Sequence, residues 1–242
     1  MQIRGTRRLA FSLTVTSCVI ASIFVLQAAA QQGDLMEKLE QIKQASAANK
    51  QALAKYTWQE QQTISLKGEV KKTTIYQVST GPDGTQQKTE ISSTPAAAPP
   101  SGGKFKQKII AKKKEEYQEY GEQIADLAKQ YSHPDPQAMQ QAYQKGNVSL
   151  QMGGAAGTVS LVFKNYLKPS DSMTIVFNTQ DKGIQAINVS SYLTDPSDAV
   201  TETVQFAKLP SGVNHVATVQ VNGVAKQLGV NIQNSNYQPK GM

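Results

Sequence analysis

Residues 213–232 read VNHVATVQVNGVAKQLGVNI, and their side chains alternate. Val213, Ala217, Val219 and Val221 share one parity, while Asn214, Thr218 and Gln220 share the other. Farther on, Leu228, Val230 and Ile232 oppose Gln227, Gly229 and Asn231. A period of two belongs to a pleated strand whose neighbouring side chains point to opposite faces, so this stretch builds a sheet that is oily on one face and wet on the other. Asn222-Gly223 is expected to be a two-residue hairpin loop, since such a loop needs positive φ at both positions and Asn and Gly tolerate it.

Working outward, the same pattern recurs over Val148–Met152, Thr158–Tyr166, Ser172–Asn178, Gly183–Leu193 and Val200–Leu209, with the quoted stretch splitting into Val213–Val221 and Val224–Gln233. The connections Asp181-Lys182-Gly183 and Pro210-Ser211-Gly212 are short, which makes the whole an antiparallel meander. Nearer the N-terminus, Tyr56, Trp58, Ile64 and Leu66 alternate with Thr57, Gln59, Gln61, Thr63 and Ser65. Lys67-Gly68 turns that strand into a second, Glu69–Ser79, and Gly81-Pro82-Asp83-Gly84 leads to a short third piece ending at Ile91.

Between these strands the period changes. Asp34–Tyr56 sets Leu35, Leu39, Ile42, Ala45, Ala52 and Leu53 near one stripe and reads as an amphipathic helix capped by Asp34. Phe105–Tyr131 spaces Phe105, Ile109, Tyr117, Tyr120, Ile124, Leu127 and Tyr131 by threes and fours, and Asp135-Pro136 starts a short third helix that ends by Gly146. Residues 92–103 hold three prolines and two glycines and are expected to be a flexible loop. Helical stripes of this length need an apolar layer to cover them. The fold class is therefore α+β: an antiparallel sheet of about eight to ten strands packed on helices.

The ends point to a compartment. Arg4, Arg7 and Arg8 precede an apolar run from Leu9 to Leu26, then Gln27-Ala28-Ala29-Ala30 and a polar stretch, the pattern of an export signal cleaved after residue 30. The same segment is long enough for an uncleaved anchor, Val15-Thr16-Ser17-Cys18 loosely resembles a lipobox and Thr6-Arg7-Arg8 a twin-arginine signal, but the alanine triplet favours cleavage. Residues 31–242 are then a single domain of the periplasm or cell envelope. Cys18, the one cysteine of the sequence, falls in the signal, so the core alone stabilises the exported chain. Of the 25 basic residues three lie in the signal, leaving 22 against 18 acidic ones. An excess of four suits an acidic partner such as lipid headgroups but not nucleic acid.

Catalytic patterns are missing. His133 and His215 sit in no metal-ligand spacing, Gly153-Gly154-Ala155-Ala156-Gly157 lacks the lysine of a phosphate loop, and Glu115-Glu116 and the Asp195/Asp198 pair lie on a helix face and in a turn. No enzyme activity, metal or cofactor is expected. His215 shares the parity of Val213 and is expected to be a partly covered sheet residue. Asn147-Val148-Ser149 and Asn188-Val189-Ser190 match the glycosylation acceptor pattern, but the second lies in the middle of an expected strand and the pattern is common by chance.

Two groups remain as binding candidates. Tyr56, Trp58, Tyr117 and Tyr120 stand on elements that face the apolar side of the sheet, where aromatic rings either finish a core or line a ligand cavity. Lys104, Lys106, Lys108, Lys112, Lys113 and Lys114 crowd the start of the second helix, where positive charge opposes the helix dipole. They would suit an anionic membrane surface, although Glu115, Glu116, Glu119 and Glu122 follow directly.

The order of an exported N-terminal helix, a strand beginning Tyr56-Thr57-Trp58-Gln59-Glu60, an inserted helical segment and a C-terminal meander resembles the outer-membrane lipoprotein-sorting carriers (LolA-like) and the related sigma-factor-regulator sensors. Gly68-Glu69-Val70-Lys71 and Phe163-Lys164-Asn165-Tyr166-Leu167-Lys168-Pro169 also resemble an uncharacterised bacterial envelope family. The carrier resemblance implies that the sheet is curved into an incomplete antiparallel barrel wrapped over helices, and that the ligand is a lipid or lipoprotein. The expected function is a non-catalytic binding protein for a lipid-like ligand or partner protein. The alternative is a structural or protein-interaction domain with a fully packed core.

Overall fold

The computed structural model describes residues 16–94, 104–132, 136–152 and 154–241. The elements in order are α1 (Thr16–Leu53), β1 (Tyr56–Leu66), β2 (Glu69–Thr80), β3 (Gln86–Ser93), α2 (Lys104–Ser132), α3 (Pro136–Gln144), β4 (Val148–Met152), β5 (Thr158–Lys164), β6 (Ser172–Asn178), β7 (Gly183–Tyr192), β8 (Ala199–Lys208), β9 (Asn214–Gly223) and β10 (Leu228–Pro239). The chain divides inside α1: Met1–Glu40 is one unit and Gln41–Met242 the other. Among the described residues no helix is long and apolar enough to cross a membrane, which leaves crossing by strands unaddressed.

Among the described residues all ten strands join one antiparallel sheet in the order β3-β2-β1-β10-β9-β8-β7-β6-β5-β4, with β3 and β4 at its edges. The expected curved, unclosed sheet packed on helices is present. Register shifts at Ile64/Ser65, Ile75/Tyr76, Val176/Phe177 and Gln205/Phe206 bend the strands, as an extra residue on one side of a ladder does. β3 is exposed along its whole length and reads QQKTEISS, a polar edge that discourages pairing with another chain.

Parity sets the core. Val159, Leu161 and Phe163 of β5, Met173, Ile175 and Phe177 of β6, Ile187 and Val189 of β7, and Val200 and Val204 of β8 are buried on one face. Each such side chain contributes roughly 1.5–3 kcal/mol on burial. The chain leaves edge β3 and returns at the opposite edge β4, so α2 and α3 are carried across that apolar face. α2 packs on β9 and α3 on β5, where Ala142 is buried. Within the second unit, α1 buries Ile42, and its Asn49 amide clamps the start of β9, donating to Asn214 O and accepting from Asn214 N, both at 2.7 Å.

Several expectations need correction. α1 starts at least as early as Thr16, so Asp34 lies within the helix and caps nothing: Val19–Ala30 offers no Gly or Pro to stop it. Asn222-Gly223 is not the hairpin loop. Gly223 ends β9 and pairs with Leu228, the loop is Val224–Gln227, and Gln227 takes the positive φ of 51°. The two-residue loop with both φ positive is Lys67-Gly68, at 53° and 81°. Gly223 is required for another reason: a Cβ there would stand 2.3 Å from Ile124 Cδ1, so the glycine lets α2 approach the sheet. The last strand runs on to Pro239 and brings in Tyr237, because its partner β1 continues to Tyr56.

The fifth strand stops at Lys164 instead of Tyr166. Residues 165–171 wrap around the buried Asp171 carboxylate, which accepts the backbone N–H groups of Tyr166, Leu167 and Lys168. Gly183 opens β7 while Lys182 holds the turn's positive φ. The expected flexible loop is described only through Thr94, and residues 95–103, His133, Asp135 and Gly153 lie outside the described residues, as does the segment before Thr16.

Candidate functional site

α2 meets the sheet along half its length. Tyr120, Ile124, Leu127 and Tyr131 are buried, whereas among residues 107–116 only Ile110 is even half-covered and Ile109 is 46% exposed. Among the described residues, the stripe thus continues past the tip of the β9–β10 hairpin largely uncovered. At that junction an open cleft of about 330 Å³ is lined by Lys67 from the β1–β2 loop, Glu116 and Tyr117 from α2, and Ala225, Lys226 and Gln227 from the β9–β10 loop. The two loops are tied together by Lys67 N donating to Gln227 O at 2.8 Å.

Lys226 is held by this corner. Its Nζ donates to Glu116 O at 3.0 Å and lies 5.6 Å from the Tyr117 ring centre and 5.3 Å from that of Tyr120. Two aromatic faces and a carbonyl fix the ammonium without neutralising it. Lys112 and Lys113 stand one helical turn before Glu116 and Tyr117, and with Lys108 and Lys114 they are exposed. Lys104 and Lys106 belong to the same helix, but their side chains are outside the described set. Val70 near the start of β2, Ile109 of α2 and Val224 of the β9–β10 loop are exposed apolar residues.

Farther along the seam the polar groups are internal. Tyr120 donates to Asp198 Oδ1 at 2.7 Å, and burial, then this contact, push its hydroxyl up to about 12. Tyr131 donates to Asp171 Oδ2 and meets Ser191 Oγ at 2.8 Å; burial and Asp171 raise it as well. Glu202 is buried, touches Ser132 Oγ through Oε1 at 2.9 Å and leaves Oε2 unpaired, and burial pushes it from 4.5 up to about 7. The gap lined by Leu127, Tyr131, Val189, Val200 and Glu202 has no room for a water molecule.

The four aromatic candidates do not come together. Tyr117 and Tyr120 flank Lys226, whereas Trp58 is buried and stacks on Tyr237 at 5.5 Å, and Tyr56 donates to Ser211 Oγ at 2.9 Å. His215 is 8% exposed, more covered than its parity implied, because Tyr237 lies 4.2 Å away, ring centre to ring centre. Tyr237 is raised by burial and then by Glu60, a buried carboxylate that accepts from Lys88 at 2.6 Å. Among the described residues no group of three His, Cys, Asp or Glu side chains converges on a metal position.

Sequence reasoning missed Lys226, Glu202, Asp171 and Tyr237. Lys226 was assigned to a strand through the misplaced loop. Glu202 was legible, since it shares the parity of Val200 and Val204, as Asp171 shares that of Met173 and Ile175. Tyr237 lay past the expected end of the last strand.

No family model matches this chain, and no curated protein matches it. Among solved structures it is similar to the crystal structure of a DUF1329 family protein from Desulfovibrio piger. The two are 9% identical, the match covers 86% of this chain and 94% of that one, and the TM-score is 0.40.

Proposed function

We propose that this chain is an exported, non-catalytic binding protein of the cell envelope that engages anionic, lipid-like surfaces through the end where the two hairpin tips meet the overhanging half of α2. One observation carries the proposal: Lys67 and Lys226 line one cleft, exposed Lys112 and Lys113 stand one helical turn before its Glu116 and Tyr117, and the exposed apolar Val70, Ile109 and Val224 lie on β2, α2 and the β9–β10 loop. Each lysine near an anionic bilayer contributes about 1 kcal/mol, and its flexible stem lets the ammonium reach headgroups while apolar neighbours enter the interface. The layout resembling lipoprotein-sorting carriers supports the lipid class of ligand. The filled seam beneath α2 favours binding on the surface of the protein over an internal ligand cavity. That same filled seam favours one competing reading, an interaction domain with a fully packed core, which expects no affinity for lipid.

Flotation with vesicles separates the two. The protein should float with phosphatidylglycerol-containing vesicles at low salt, release as salt rises, and stay behind with phosphatidylcholine alone. Equal recovery with both vesicles, or none with either, contradicts the lipid proposal.

A further inference from the structure

We propose that Glu202 is a proton-loaded latch that fastens the C-terminal half of α2 to the sheet, closing the seam when it carries its proton and loosening it when it does not. The geometry rests on one hydroxyl. Ser132 has a single proton and stands 2.9 Å from both Ala128 O and Glu202 Oε1. A serine in the last turn of a helix commonly gives its proton to the carbonyl four residues back, and then only lone pairs remain for the carboxyl group. Oε1 must in that case be the donor, and Glu202 the neutral acid.

Three further features agree. Glu202 is 3% exposed and its Oε2 has no partner, which a neutral acid tolerates and a carboxylate does not. The last carbonyls of α2 carry the negative pole of the helix, which opposes a second negative charge beside them. No cation answers Glu202 among the described residues. Leu127 and Tyr131 face it from α2, Val189 and Ser191 from β7, and Val200 and Val221 stand beside it on β8 and β9. The Tyr131 hydroxyl turns to Asp171 and Ser191, Asp198 serves Tyr120, and Lys129 pairs with Asp126 on the exposed side of α2. His133 and Asp135 are outside the described residues. Burial holds the group at about 7, so the change falls near neutral pH.

The full chain, carboxyl-labelled with carbon-13 at glutamate, tests this directly. The Glu202 resonance, assigned through its bonded protons, should titrate with a midpoint near 7. Amide exchange of residues 124–131, corrected for intrinsic rates, should lose about tenfold in protection between pH 6 and pH 8. In Glu202→Gln, whose amide supplies the same donor permanently, protection should be flat over that range. A midpoint in the ordinary carboxylate range overturns the latch even if the variant does not fold, and an equal fall of protection in wild type and Glu202→Gln overturns it as well.

Discussion

One methyl group added at Gly223 probes how closely α2 lies on the sheet. The new Cβ would stand 2.3 Å from Ile124 Cδ1, 2.7 Å from Tyr120 Oη and 2.8 Å from Tyr120 Cε1. Carbon atoms pack best at about 3.5–4.0 Å, so the helix would have to retreat by about an ångström or its side chains would have to turn. Ile124 Cδ1 is the end of a side chain and can rotate. The Tyr120 ring has less freedom, because its hydroxyl is bonded to Asp198 and Lys226 lies over its face. Overpacking of this kind costs about 1–3 kcal/mol, offset in part by roughly 0.5–1 kcal/mol from replacing a strand glycine with alanine. Gly223→Ala should therefore destabilise the fold by about 1–2 kcal/mol. Urea unfolding followed by the fluorescence of Trp58, the one tryptophan and a buried one, measures this. Ile124→Val removes Cδ1 and by itself costs about 0.5–1.5 kcal/mol, yet combined with Gly223→Ala it should restore part of the loss, with a coupling of about 1 kcal/mol. A Gly223→Ala protein as stable as wild type, with no coupling to position 124, would refute the close approach.

Other expectations follow from the same contacts. Tyr131→Phe should cost about 2–3 kcal/mol in urea unfolding, because it strips a hydrogen bond from the buried Asp171 and another from Ser191. Tyr120→Phe should cost about 1 kcal/mol by the same assay, since Asp198 can turn to water. For Glu202 the acid is held at about 7 when folded against 4.5 when unfolded, so the folded state binds more protons between those values. Wild-type stability should then fall as pH rises from 4.5 through 7, by at most roughly 3 kcal/mol, and Glu202→Gln should remove most of that slope. Reversing Lys112, Lys113 and Lys226 to glutamate together should weaken binding to anionic vesicles by about a hundredfold, at about 1 kcal/mol for each lysine, without changing the unfolding midpoint by more than a few tenths of a molar.

The architecture was legible wherever one face is buried and the other is wet. Met173, Ile175 and Phe177 against Thr174 and Val176 left little freedom, since a slip by one residue would have turned the whole apolar set to solvent. The helix from 104 to 132 could be read from its stripe. What the stripe could not reveal was that residues 107–116 of it lie largely uncovered among the described residues, because the length of a helix does not state where its partner ends. Asn222-Gly223 misled for a physical reason: the same dipeptide that suits a tight turn also suits a strand end pressed by a helix, and only the pairing of Gly223 with Leu228 separates the two. The cleft depends on that point, since moving the loop to Val224–Gln227 is what delivers Lys226 to Tyr117 and Tyr120. Acidic residues set on an apolar parity, Glu202 above all, were the overlooked signal, for burial of a carboxyl group without a cation marks either strain or a proton.

The most direct measurement is a residue-level footprint of the protein on phosphatidylglycerol vesicles, read by amide exchange with and without lipid. Protection should rise at residues 67–70, 108–117 and 224–227 and stay unchanged at 158–178, and it should vanish when salt screens the charges. Protection spread over the strands of the core, or an unchanged cleft under conditions where the protein is vesicle-bound, would contradict the assignment of this end as the lipid-facing surface.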